Sequence, residues 1–240
     1  MRRQLGPLVQ SLRSSLWEMT PRDHRQTARE FRRRQVVSGV VVVLGALVLG
    51  FSLSIPPENS VRFSLATLVL AGVWTVGAFA SGPLHLGRAG RPSEPDLMAP
   101  RPVVQPLLIG ALLAIVFVIG AFVVREFPWL DEQVSKVLAH TGQGSAAVLL
   151  LVTVVNGIAE ELFFRGALYA AIPRRQILWT TVAYTVATLA TGNVMLGFAA
   201  ILLGVVVGLQ RRASGGILAP IITHLVWSVT MLYALPAIIL

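Results

Sequence analysis

Seven long apolar segments dominate this sequence of 240 residues. A helix needs about 20 apolar residues to cross the hydrocarbon core of a bilayer, and the segments approach or exceed that length. Hydrophobic residues make up 55% of the chain and charged residues only 13%, well below the roughly 25% that is usual for soluble domains. We therefore predict an all-α, polytopic transmembrane helical bundle of about seven spans. The approximate ranges are 36–55, 64–82, 104–124, 146–171, 177–191, 194–210 and 216–238.

The basic residues lie in alternate connections between these segments, and the other connections are neutral or acidic. By the positive-inside rule, this pattern predicts a cytoplasmic N-terminus and an outer C-terminus. The arginine-rich N-terminal tail indicates contact with anionic lipid head groups rather than with nucleic acid. We expect membrane lipids as partners and a bacterial inner membrane as the location. The basic connections contain Arg88, Arg91, Arg101, Arg174, Arg175, Arg211 and Arg212.

Three regions follow from this pattern. Residues 1–35 form a basic amphipathic tail, in which the spacing of apolar residues between 5 and 17 predicts an interfacial helix. Thr20 and Pro21 predict the N-cap and first turn of a second, arginine-rich helix that leads into the membrane. Residues 36–145 hold spans one to three with their loops and carry no ionisable residue inside a span. Residues 146–238 hold all the candidate functional residues, and we expect them to form the core.

Two adjacent carboxylates, Glu160 and Glu161, lie inside the fourth apolar segment. An ionised side chain in hydrocarbon costs roughly 2.5–3.5 kcal/mol on insertion scales, so both side chains should face a polar cavity or a partner. Glu161 and Arg165 are four residues apart with the acid first, a spacing that favours an ion pair. Glu160 is left without a cation nearby in sequence and is suited to acid or base chemistry. The alternative is an ion-pair cluster that only locks helices together.

His224 is the only histidine inside a span, and it lies at a depth similar to that of Glu160. A base and an imidazole that face each other across a bundle form a catalytic or proton-relay geometry. Ser228 lies one turn beyond His224, and Thr188 shares a face with Tyr184 in the fifth segment. The alternative roles are structural, because a lone histidine or threonine in a membrane helix often only bonds a neighbouring helix or its own backbone.

The run EELFFRG at 160–166, followed by His224 within the last span, resembles the CPBP family of CAAX prenyl proteases and bacteriocin-processing or Abi proteins. The similarity covers roughly residues 146–235. It implies an intramembrane glutamic-type endopeptidase that cleaves a membrane-proximal protein or peptide without a metal or cofactor. In that scheme Glu160 is the general base that activates water, Glu161 and Arg165 hold it in place, and His224 stabilises the oxyanion.

The chain departs from the motifs of that family at two positions. The FxxxH motif corresponds to Tyr184 through Thr188, and the HxxxN motif corresponds to His224 through Ser228. Thr188 and Ser228 are therefore candidate site residues whose chemistry differs from that of the family. The alternative function is a catalytically degenerate membrane protein of the same fold with a binding or immunity role. A proton-coupled transporter is a further class, although the sequence shows no inverted repeat.

Overall fold

The computed structural model describes residues 16–17, 26–88, 101–141 and 145–240. Within these ranges the chain forms eight helices of more than two residues and no strand. One of them, α5, changes its hydrogen-bonding pattern over Glu161–Leu168. The helices are α1 (Ala28–Ser54), α2 (Ser60–Ser81), α3 (Val104–Val124), α4 (Pro128–Leu138), α5 (Ala146–Ala171), α6 (Gln176–Leu189), α7 (Val194–Ser214) and α8 (Leu218–Ile239).

The predicted all-helical, multi-span bundle is confirmed. In the part of the chain that the structure describes, six helices are long and apolar enough to cross a membrane, namely α1, α2, α3, α5, α7 and α8. The remaining predicted span, 177–191, corresponds to α6, which has only 14 residues. Large apolar side chains such as Leu47 and Phe51 are more than half exposed, as expected for surfaces that face lipid. The chain is a multi-pass membrane protein, and the orientation from the charge pattern stays a prediction.

The arginine residues between 29 and 34, which precede the first apolar run, belong to α1 itself. Thr27 caps this helix, because its hydroxyl accepts from the backbone N–H of Glu30 while the Glu30 carboxylate accepts from the N–H of Thr27. The predicted cap at Thr20 and most of the predicted interfacial helix lie outside the described residues. The basic residues and the apolar run that follows them thus lie in one continuous helix.

Aromatic side chains pack α5 against α2 in the centre of the bundle. The ring centroid of Trp74 lies 4.8 Å from that of Phe163 and 5.0 Å from that of Phe164. All three side chains are buried. Gly45 of α1 lies over the same indole, so closely that a Cβ atom at this position would overlap the ring. The indole thereby joins three helices around the segment that carries the paired carboxylates.

We expect Gly45→Ala to destabilise the protein by roughly 1–3 kcal/mol, because the added methyl group must displace the Trp74 ring in a packed core. Gly39→Ala in the same helix is the control, since no atom lies within 4 Å of its added Cβ. It should be neutral or slightly stabilising because alanine favours helix. Equilibrium unfolding of both variants in mixed micelles measures the difference, and equal stability would contradict this packing.

Arginine residues gather at one end of the bundle, which we call the Arg-rich end and define by Arg33, Arg174 and Arg211. Here the segment 82–88 is tied to the turn between α7 and α8. The N–H groups of Ile217 and Leu218 donate to the carbonyls of His85 and Leu86 over 2.9 and 3.0 Å. The described part of the long connection after α2 is therefore anchored to the last helix.

The opposite end is closed by α4, a helix of 11 residues in a region that the sequence indicated only as a loop. Pro128 at its start suits the first turn of a helix. Two hydrogen bonds hold this connection on the bundle. His140 Nε2 lies 2.9 Å from the carbonyl oxygen of Ile55, and Asn193 Nδ2 donates to the carbonyl of Gln133 over 2.6 Å. The described residues 125–141 thus lie against this end of the bundle.

Candidate active site

The two carboxylates lie where α5 changes its hydrogen-bonding pattern. Residues Glu161–Leu168 form a π-helix, in which each N–H bonds the carbonyl five residues earlier, and Glu160 is the residue before it. Such segments are rare and occur frequently at functional sites, because the wider turn re-aims side chains. Glu161 and Arg165 both belong to the widened turn. Seven of its eight residues are buried.

Glu161 is the centre of a buried cluster. Its side chain is 0% exposed, and its Oε1 atom accepts from Arg165 Nη1 over 3.1 Å. The predicted pairing of these two residues is thereby confirmed. The same oxygen lies 2.7 Å from His224 Nδ1. The imidazole of His224 in α8 therefore bonds Glu161, the second carboxylate of the pair, whereas the sequence analysis predicted that it faces Glu160.

The hydrogen bond to Glu161 requires a proton on Nδ1 of His224. Because a carboxylate only accepts, Nδ1 must donate. Nε2 has no hydrogen-bond partner among the described residues. A ring oriented by a carboxylate in this way can present its second nitrogen to a reacting group, as in many acid–base catalysts. Within the described structure, His224 thus has one nitrogen bonded to Glu161 and a second nitrogen without a protein partner.

Glu160 is partly exposed, unlike its neighbour. Its Oε2 atom accepts a hydrogen bond of 2.6 Å from the Tyr184 hydroxyl of α6. Tyr184 was not among the predicted site residues. The sequence did carry a signal for it, because the segment from Tyr184 to Thr188 aligns with the FxxxH motif. Tyr184 takes the place of the phenylalanine and adds a hydroxyl group there. The structure therefore brings a phenol, rather than Thr188, to the candidate base.

Arg165 connects these groups electrostatically. Its guanidinium is fully buried and lies 4.7 Å from the centroid of the Tyr184 ring, a cation–π arrangement. Its backbone carbonyl accepts from Arg211 Nε over 2.6 Å. Gly204 of α7 lies beside the guanidinium and Thr181, since a Cβ atom there would be 3.4 Å from Arg165 Nη2 and 3.0 Å from Thr181 Cγ2. Helices α5, α6 and α7 therefore fix the position of this charge.

The structure places the two remaining candidates outside this cluster. The hydroxyl of Thr188 donates to the carbonyl of Tyr184 over 2.8 Å, which is a bond within its own helix. The hydroxyl of Ser228 lies 3.4 Å from the carbonyl oxygen of Leu225. Among the described residues, neither hydroxyl bonds a carboxylate or the imidazole. Thr188 thus takes the backbone role that is common for threonine in membrane helices.

A cavity of about 450 Å³ lies towards the end covered by α4, and Asn156 and Ser228 are its lining residues nearest to the cluster. Most of its lining is apolar and comes from the outer halves of α3, α5, α7 and α8. Asn156 and Ser228 line it one helical turn from Glu160 and His224 respectively. The acid–imidazole cluster therefore lies beside one end of an apolar chamber large enough for several side chains.

Comparison with models of known protein families finds a match to part of the chain. Residues 142–230 match the family model described as type II CAAX prenyl endopeptidase Rce1-like. This segment is therefore similar to the CPBP family of CAAX proteases. The resemblance inferred from EELFFRG and His224 is thus confirmed, and the matched segment includes Glu160, Glu161, Arg165 and His224. No curated protein and no solved structure matches the chain.

Proposed function

We propose that the protein is an intramembrane endopeptidase in which Glu160 activates water. One observation carries the proposal: Glu160 is the partly exposed carboxylate, held by the Tyr184 hydroxyl, whereas Glu161 is wholly buried and bonded to Arg165 and His224. We therefore assign different roles to the two acids. In this proposal Glu160, which keeps some accessible surface, meets the water molecule, and Glu161 orients the imidazole. The Rce1-like match supports the same reaction class.

The reaction follows from these positions. Glu160 accepts a proton from water as the water oxygen bonds to the carbon of the scissile amide. His224, protonated on both nitrogens, donates from Nε2 to the developing oxyanion while its Nδ1–H remains on Glu161. The carbon–nitrogen bond then breaks, and the leaving nitrogen takes the proton from Glu160. Burial in the bundle strengthens each of these electrostatic interactions.

The substrate we propose is a membrane-proximal segment of a protein or peptide. The apolar cavity beside the cluster suits a hydrophobic stretch of such a substrate. The family description names prenylated CAAX sequences, so peptides with this ending are the first to test. The charge pattern of the sequence favours an orientation with the Arg-rich end towards the cytoplasm, and the location we propose is a bacterial inner membrane.

Cleavage by the purified full chain in lipid nanodiscs tests the proposal. Quenched fluorescent peptides that end in a prenylated CAAX sequence are compared with unprenylated peptides and with transmembrane peptides that carry no lipid. We expect one of these classes to be cut, with one oxygen atom from labelled water in the new carboxylate. A folded protein that cuts none of them would favour the binding or immunity alternative.

Tyr184→Phe should lower kcat roughly 10-fold to 100-fold and leave KM nearly unchanged. The substitution removes the hydrogen bond to the Glu160 carboxylate and keeps the ring that packs against Phe164, and such bonds to charged groups contribute about 1.5–3 kcal/mol. Tyr233→Phe is the control, because this tyrosine is exposed on α8. Equal kcat values for the two variants would show that the phenol does not position the base.

A further inference from the structure

A second cavity, of about 310 Å³, lies at the Arg-rich end and is separate from the acid–imidazole cluster. The N-terminal turns of α1, the segment after α2, the last turns of α5 and the end of α7 enclose it. Two of its walls carry a buried guanidinium, which is unusual for a cavity within a membrane protein. Its lining includes Phe31, Arg34, Leu84, Gly166, Gln176 and Arg211.

Arg34 is the residue that most needs a ligand there. Its side chain is 2% exposed, and Nη2 donates to the carbonyl of Pro83 over 3.1 Å, whereas Nε has no partner. The nearest acid on its helix is Glu30, whose charge acts on Arg34 without forming an ion pair, since its Oε2 atom accepts from the N–H and the hydroxyl of Thr27. No ion pair of Arg34 occurs in the described part of the chain. A buried guanidinium in this state is unfavourable unless an anion pairs with it.

The second guanidinium adds positive charge on the facing wall. Arg211 is also 2% exposed, and its Nε donates to the carbonyl of Arg165 over 2.6 Å. The side chain is packed over the Tyr169 ring, with Cζ 5.1 Å from the ring centroid. Two guanidinium groups therefore border one small cavity. The cavity is thus built for a compact group with negative charge.

The position of Arg34 along α1 indicates the depth of this site. Arg34 precedes the apolar run that begins at Val36, so it lies at the boundary between head groups and hydrocarbon. The exposed side chains of Arg29, Arg32 and Arg174 surround the same end of the bundle. Anionic groups concentrate at such a surface, and guanidinium binds phosphate through two parallel hydrogen bonds.

We propose that this cavity is a phosphate-binding site with Arg34 as its principal ligand. The phosphate group comes from an anionic membrane lipid or from a soluble phosphate compound, and the guanidinium chemistry is the same for both. Arg211 lines the same site and connects it to the backbone of Arg165. The proposal concerns binding alone, so its test does not depend on peptide cleavage.

Thermal unfolding of the full chain in a neutral detergent tests the site, followed by the fluorescence of its five tryptophans. Inorganic phosphate and short-chain phosphatidylglycerol are titrated separately, against sodium chloride of equal ionic strength and an uncharged diacylglycerol. We expect a saturable rise in Tm with phosphatidylglycerol, with phosphate or with both. A response to phosphatidylglycerol alone assigns the site to lipid, and a response to phosphate assigns it to soluble phosphates as well.

Arg34→Gln should raise the ligand concentration at half-saturation at least 10-fold. Arg33→Gln is the matched control, because it removes the same charge from an exposed neighbour that bonds only the carbonyl of Ala80 in the described structure. It should bind as the wild type does. Arg34→Lys serves if the glutamine variant does not fold, since it keeps the charge and loses the planar fork.

Three outcomes would overturn the proposal. The first is a wild-type protein whose Tm responds to neither phosphate source beyond the salt control. The second is equal loss of binding in the Arg33 and Arg34 variants, which would indicate only a diffuse surface potential. The third is stabilisation by a peptide with a free C-terminal carboxylate, lost in Arg34→Gln, when both phosphate sources have no effect. That result would make the cavity a peptide carboxylate site.

Discussion

Glu160→Gln should reduce the rate of peptide cleavage by about 10²-fold to 10⁴-fold, the usual contribution of a general base. The amide keeps the size of the carboxylate, and its oxygen can still accept from the Tyr184 hydroxyl. We therefore expect the variant to fold and to bind substrate with little change in KM. Initial rates in nanodiscs, together with unfolding curves for the same samples, measure both effects.

Glu58→Gln is the control for this experiment, because Glu58 is exposed in the short connection between α1 and α2. It loses the same charge and should cleave at the wild-type rate. Wild-type activity in the Glu160 variant would exclude this carboxylate as the base. In that case, loss of activity in His224→Ala would instead point to the imidazole held by Glu161 as the group that activates water.

Arg165→Met should destabilise the protein by about 3–5 kcal/mol, because it leaves the Glu161 carboxylate in the bundle without its cation. Methionine has a similar length and fills the space that the arginine stem occupies. The matched control is Lys136→Met, which breaks another acid-first pair of the same spacing, between Glu132 and Lys136, with both side chains about 60% exposed. This control should change stability little, since exposed ion pairs contribute weakly.

A double variant separates the ion pair from the packing. Glu161→Gln removes the unpaired charge that Arg165→Met leaves behind, so combining the two should restore part of the lost stability. Equilibrium unfolding in mixed micelles gives the four free energies of the cycle. If Arg165→Met lowered the free energy of unfolding as little as Lys136→Met does, the buried ion pair would not stabilise the bundle. The burial of Glu161 would then have another cause.

The long helices could be predicted because their determinants are local. Uninterrupted apolar runs of spanning length indicate α3 and α5, and their bounds agree with the prediction. The pairing of Glu161 with Arg165 depends only on a spacing of four residues within one helix. The alternative in which Thr188 bonds its own backbone is likewise local, and the structure shows that bond.

The contacts between helices could not be predicted in the same way. Whether His224 meets Glu160 or Glu161 depends on how α8 is rotated against α5, and on the π-helical turn that re-aims the acids. No residue pattern in the run EELFFRG indicates that turn. Tyr184 was missed for a related reason: a tyrosine in an apolar helix usually indicates packing, and only the rotation of α6 brings its hydroxyl to Glu160.

The short helix α6 affects the lipid around it. Its 14 residues rise about 21 Å, which is less than the hydrocarbon thickness of about 30 Å. Its outward face is apolar from Leu178 to Val186, so lipid contacts it directly. The bilayer must thin locally to match this face, or flanking polar groups must extend to the interface. Thinning brings head groups and water closer to the level of Tyr184, and this response to hydrophobic mismatch would shorten the path by which water reaches Glu160.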